Sequence, residues 1–90
     1  MRQTEMWVVY IDSSEDITRV AKYASQLDKM PGIVPYCEFG SDGYEHYIEF
    51  TAVEEDGKDA DYWASEYIYE MEDAFQVVGS EFVRSGSVSF

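Results

Sequence analysis

IVPYCEFGSDGYEHYIEFTAV, residues 33–53, decides the fold. Ile33 to Phe39 and Tyr44 to Val53 are runs of β-branched and aromatic residues, joined by Gly40-Ser41-Asp42-Gly43. Asp-Gly favours a tight hairpin turn, because both central residues tolerate positive φ. In the second run His46, Ile48, Phe50 and Ala52 share one face, and Tyr47, Glu49 and Thr51 share the other. Pro35 removes a backbone donor and so places the first run at a sheet edge.

Working outward, residues 5–12 (EMWVVYID) read as a strand preceding the hairpin. Asp12-Ser13-Ser14 offers capping oxygens, with Glu15 and Asp16 in the first helical turn, where the dipole favours acids. Ile17, Val20, Ala21, Ala24 and Leu27 then repeat at helical spacing until Pro31-Gly32. Beyond the hairpin, Glu54-Glu55-Asp56-Gly57 turns into a second helix over residues 59–75. Its apolar residues Ala60, Trp63, Ala64, Tyr67, Ile68, Met71, Ala74 and Phe75 occupy an arc of about 140°. Gly79 closes that region, and Glu81-Phe82-Val83-Arg84 with Val88 and Phe90 supply a last strand, Gly86 marking a bulge or bend. The order β-α-β-β-α-β over residues 1–90 is an α+β, ferredoxin-like single domain, with two helices on one face of a four-stranded antiparallel sheet.

Charge restricts what such a domain does. Nineteen Asp and Glu against six Lys and Arg give a net charge of −13. Direct binding to nucleic acid or anionic membrane is therefore not expected, since both need cations to replace counterions. No apolar run approaches the roughly 20 residues that cross a bilayer, and the start, MRQTE, lacks the pattern of a signal peptide. The single cysteine, Cys37, forms no internal disulfide, so a cytoplasmic location is expected.

No catalytic constellation emerges. His46 and Cys37 are each alone of their type, short of the three or four ligands of a zinc site. His46 shares a strand face with Ile48 and Phe50, as a core or rim histidine would. Residues 54–61 are oxygen-rich but miss the EF-hand spacing. No metal or cofactor is expected, and no enzyme.

The distribution of charge is more informative than its total. Residues 1–37 carry a net of −1, residues 38–73 a net of −12 and residues 74–90 none. On the second helix Asp59, Glu66, Glu70 and Asp73 fall within about 60° of one another, beside Tyr62 and Tyr69. The pairs Glu66/Glu70 and Glu70/Asp73 repel by roughly 0.2–0.5 kcal/mol each. Glu70, Glu72 and Asp73 also occupy C-terminal turns, which prefer cations by roughly 0.3–1 kcal/mol per charge. Three readings compete. The stripe is a solvated face; or it is an adaptation to salt, which would spread acid over the whole surface; or it docks on a basic protein surface. In the third reading Glu54, Glu55, Asp56, Asp59, Glu66, Glu70 and Asp73 supply charge, with Tyr62 and Tyr69 as packing anchors. Carboxylates on successive turns, about 5–6 Å apart, approximate the spacing of a phosphate run.

In size and in this acidic stripe, led in by Glu54-Glu55-Asp56, the chain resembles small phage-encoded inhibitors of restriction, repair or CRISPR machinery, some of which mimic DNA. The resemblance lies in the character of residues 38–73 and implies, as partner, the basic surface of a nucleic-acid-binding protein.

A second candidate surface is the sheet. In the first strand Trp7, Val9 and Ile11 form one face and Met6, Val8 and Tyr10 the other, so both are apolar. Tyr36 and Tyr47 are expected beside Tyr10 on the side away from the helices. Coverage by Ser85 to Phe90, a homodimer through this face, or a ligand pocket would each account for it.

Overall fold

The computed structural model describes residues 1–89. Its elements are β1 (Arg2–Asp12), α1 (Ile17–Leu27), β2 (Ile33–Ser41), β3 (Glu45–Val53), α2 (Ala60–Ala74) and β4 (Val77–Val88). The strands form one antiparallel sheet in the order β2-β3-β1-β4. This is the ferredoxin-like arrangement the alternation of elements implies.

β1 lies between β3 and β4, and its period-two pattern sets the two faces of the sheet. Trp7 pairs with Phe50, Val9 with Ile48 and Ile11 with His46 on the face beneath the helices. There Val9, Ile11, Ile48, Phe50 and Ala52 pack against Val20, Ala24 and Leu27 of α1 and Ala60, Ala64, Tyr67 and Met71 of α2. The helix residues recur at spacings of three and four, so each helix turns one stripe to the sheet. The opposite face, with Met6, Val8 and Tyr10, has no helix over it.

Several boundaries differ from the sequence reading. β1 starts at Arg2 instead of Glu5, because Arg2 to Thr4 pair with Val88 to Gly86 of an unexpectedly long β4. α1 is capped by Asp16, whose carboxylate accepts from the Thr18 N–H at 2.9 Å. Asp12 is occupied instead by the Ser14 N–H and hydroxyl, which close the turn out of β1. The hairpin turn is Asp42-Gly43-Tyr44, with Gly43 at φ 92°. The Asp42 carboxylate organises it by accepting from the N–H groups of Tyr44 and Glu45 at 2.9 and 3.0 Å, and these bonds hold its pKa below the usual value. Gly79 lies inside β4, opposite Tyr10, and Gly86 pairs regularly with Thr4. The bulges fall at Val78 and Val83, where the β1 partners skip a residue. Phe90, assigned by sequence to the last strand, lies outside the described residues.

β2 is an edge strand, as Pro35 requires, but its middle is irregular: between Val34 and Glu38 the ladder breaks and Tyr36 takes φ 76°. The Asp28 carboxylate holds this segment by accepting from the Cys37 N–H at 2.6 Å.

The helix layer is pinned to the start of β2 by one close approach. Gly32, at φ 74°, presses against the face of Trp63, and a Cβ there would fall inside the indole. Trp63 stacks on Tyr67 with ring centroids 6.1 Å apart, and the Tyr67 hydroxyl donates to the Pro31 carbonyl. Gly32→Ala combines overpacking with left-handed strain and is expected to destabilise the fold by about 2–5 kcal/mol, read by chemical denaturation with tryptophan fluorescence. Burial, with the carboxylates of Glu70, Glu55 and Glu66, pushes the Tyr67 phenol from 10.0 up to about 12. A neutral phenol is thus favoured by the fold. The stability it contributes is complete below the ordinary tyrosine pKa of about 10 and is lost as pH rises through about 12. Alkaline denaturation midpoints should fall across that window, and Tyr67→Phe should flatten the fall.

Candidate protein-interaction surfaces

The exposed arc of α2 carries three side chains that the sequence singled out and the fold leaves free. Glu66, Tyr69 and Asp73 point away from the sheet, Tyr69 being 68% exposed. Among the described residues neither Glu66 nor Asp73 has a hydrogen bond or an ion pair. Tyr62 is partly shielded: its ring meets Trp63 edge-on at 5.2 Å, and the Lys58 ammonium sits 5.2 Å from its centroid.

The remaining members of the stripe have structural duties. Asp59 is the N-cap of α2, accepting from the Tyr62 N–H at 2.8 Å. Glu70 turns toward α1 and accepts from the Tyr23 hydroxyl at 2.9 Å. Burial, then that contact, drives the Tyr23 pKa upward. The α1 side of the helix layer is also not purely acidic: Arg19 pairs with Glu15 at 3.2 Å and lies over Phe75 at 5.1 Å.

Glu54, Glu55 and Asp56 stand just before the Asp59 cap of α2. They form a clasp where the end of β3 meets the start of β1. The Glu54 carboxylate accepts from the Gln3 N–H at 2.7 Å, and Arg2 pairs with Glu55 at 3.3 Å while donating to the Glu54 carbonyl at 2.8 Å. Asp56 (φ 53°) and Gly57 (φ 74°) make the reversal, closed by paired 3.0 Å backbone bonds between Glu55 and Lys58. The Trp63 indole N–H ties it to α2 by donating to the Glu55 carbonyl at 3.1 Å.

A second acidic surface lies on the opposite side of the molecule. The strand registers line up Glu38, Glu49, Val8 and Glu81 in one row across all four strands. The next row is Gly40, Tyr47, Tyr10 and Gly79. The Tyr47 ring lies across Gly40, where a Cβ would be 2.6 Å from its hydroxyl. Val8, Tyr10, Glu38, Asp42, Tyr47 and Glu49 enclose a shallow recess of about 290 Å³. Desolvation, then the charges of Glu81, Glu45 and Asp42 and a hydrogen bond to Glu81, raises the Tyr10 pKa. Of the three tyrosines expected together here, Tyr10 and Tyr47 are direct cross-strand partners. Tyr36 sits apart in the β2 irregularity, 91% exposed and without a β3 partner. Of the glutamate row, the alternation along the second hairpin run shows only Glu49; register alone adds Glu38 and Glu81.

His46 is buried and Cys37 half-buried. The His46 Nε2 lies 2.8 Å from the Glu15 carbonyl, bracing β3 against the start of α1. Burial and the Asp28 carboxylate push the Cys37 thiol far up, away from nucleophilic character. No helix among the described residues is long and apolar enough to cross a membrane. No protein-family model, curated protein or solved structure matches the chain.

Glu38 and Glu49 stand directly opposite each other, an arrangement that destabilises a sheet. Glu49→Gln should therefore stabilise the protein by about 0.2–1 kcal/mol in thermal or urea unfolding; a loss of stability would show that the Glu49 carboxylate serves the fold.

Proposed function

We propose that the protein is a non-enzymatic acidic binder that inhibits a nucleic-acid-binding protein by occupying its basic surface, acting in the cytoplasm. One observation carries the reading. Of nineteen acids, only Glu15 and Glu55 are in ion pairs among the described residues, so most of the carboxylates behind the net charge of −13 have no cation in contact. In this reading Glu66 and Asp73, with Tyr69 beside them on the outer arc of α2, would meet the partner, assisted by Glu70 and Tyr62. A stripe selected for stability alone would alternate Glu with Lys. The mechanism is steric and electrostatic competition: exposed carboxylates steer the encounter, and the tyrosines supply rigid contact area. This is also the action that the resemblance to phage-encoded inhibitors of restriction and CRISPR systems implies.

The open sheet face supports a basic partner better than it supports a face-to-face homodimer. Two copies stacked on Tyr10 and Tyr47 would bring the rows containing Glu38, Glu49 and Glu81 together with water excluded, and like charges in that setting repel strongly.

The test is competition for DNA. A labelled duplex bound to restriction and CRISPR effector proteins should be displaced by this protein, with displacement weakening as salt rises. The triple reversal E66K/E70K/D73K should raise the concentration needed for half-displacement by about tenfold or more while leaving the circular dichroism spectrum intact. Displacement by the triple variant with unchanged strength and salt dependence would remove α2 as the docking face.

A further inference from the structure

We propose that two copies of the chain join edge to edge through β4, antiparallel about a two-fold axis at Phe82–Val83. The two sheets then become one of eight strands, with all four helices on the same side.

β4 is the outer strand beside β1, so one of its edges presents unpaired backbone groups. Its residues 78–87 are exposed on both faces. They include Val78, Phe82 and Val83, at 51%, 48% and 40% exposure. The other sheet edge is guarded: β2 carries Pro35, the break at Tyr36 and the charge of Glu38. β4 is also the neutral part of a strongly acidic molecule. Between Val77 and Val88 there is one acid, Glu81, and one base, Arg84. Two copies that repel elsewhere therefore meet along this strand with the least electrostatic opposition.

The strand is complementary to itself. Glu81 pairs with Val8 and Arg84 with Met6, so both side chains lie on the open face although they are three residues apart. In a regular strand such residues would face opposite sides; the bulge at Val83 brings them onto one. In the symmetric register centred on Phe82–Val83, Glu81 lies opposite Arg84 of the second copy, and the two-fold axis makes that pair twice. Ser80 then meets Ser85 and Gly79 meets Gly86, each pair lying on a common face because their β1 partners, Val9 with Glu5 and Tyr10 with Thr4, do so. The Phe82 and Val83 side chains of both copies gather at the axis.

This inference is independent of the proposed function, and salt separates the two. Docking on a basic surface weakens as salt rises, whereas pairing through neutral strands strengthens as the acids elsewhere are screened. Sedimentation velocity of the full chain across concentration and salt should show a monomer–dimer equilibrium that shifts toward dimer with salt. Arg84→Glu places like charges opposite each other twice and should weaken the dimer by about tenfold or more. The double swap E81R/R84E should restore it to within about threefold. A chain that stays monomeric at every concentration and salt overturns the proposal. So does a dimer indifferent to Arg84→Glu, or a double swap no better than the single reversal. Should a reversal disturb the fold, amide exchange of the unaltered chain decides. Residues 78–87 should gain protection as concentration rises, and their failure to do so in a dimeric sample rejects β4 as the interface.

Discussion

Two helices can cover only one face of a four-stranded sheet, and the rest of this molecule follows from that limit. α1 and α2 both pack on the face carrying Val9, Ile11, Ile48 and Phe50, and the apolar stripe of each helix is used up there. The other face is left to water with Met6, Val8, Tyr10 and Tyr47 on its central strands. A partly apolar surface of this kind invites association unless charge surrounds it. Here register supplies the charge: Glu38, Glu49 and Glu81 stand in one row beside the tyrosines. The direct opposition of Glu38 and Glu49 opposes stability, and the same charges would repel a copy brought onto the open face.

The same limit explains what could be read from the sequence. Elements whose pattern is set by burial on one side were legible: the alternation in residues 45–53, the helical spacing of Val20, Ala24 and Leu27, and the apolar arc of α2. β4 was underestimated because no face of it is buried along most of its length, so no period-two pattern marks it, and Gly79 reads as a boundary and Gly86 as a bulge or bend. Its extent is fixed by hydrogen bonding to β1, a tertiary fact that local propensity does not encode. Capping differs for a related reason. The residue pattern puts the cap at Asp12-Ser13-Ser14 and Asp16 in the first turn, whereas Asp16 itself caps α1, because Asp12 is taken up by the turn it forms with Ser14.

The acidic stripe shows the difference between a face and a site. Periodicity correctly places Asp59, Glu66, Glu70 and Asp73 on one arc, but which of them remain available depends on neighbours distant in sequence. Tyr23 reaches Glu70 from α1, and Arg2 reaches Glu55 from the start of β1. Asp59 serves as a cap whatever else it does. The exposed remainder, Glu66 and Asp73, has no hydrogen-bond or ion-pair partner among the described residues, and the proposed function rests on these two and Tyr69 more than on the full stripe.

The two proposals reinforce each other geometrically. α1 packs on β2 and β3, while α2 packs on β1, β3 and β4, so α2 is the helix nearer the outer edge of β4. Pairing through that edge, with the helices of both copies on one side, sets two α2 helices on either flank of the axis. A basic surface meeting one acidic arc then has the second within reach, and its engagement becomes an intramolecular step that raises avidity without any new type of contact. The arrangement also sets a limit on itself. Two negative helices facing the same way repel across the axis, so the neutral β4 edge must supply attraction that screening can reveal in the free protein and that a cationic partner would supplement on binding.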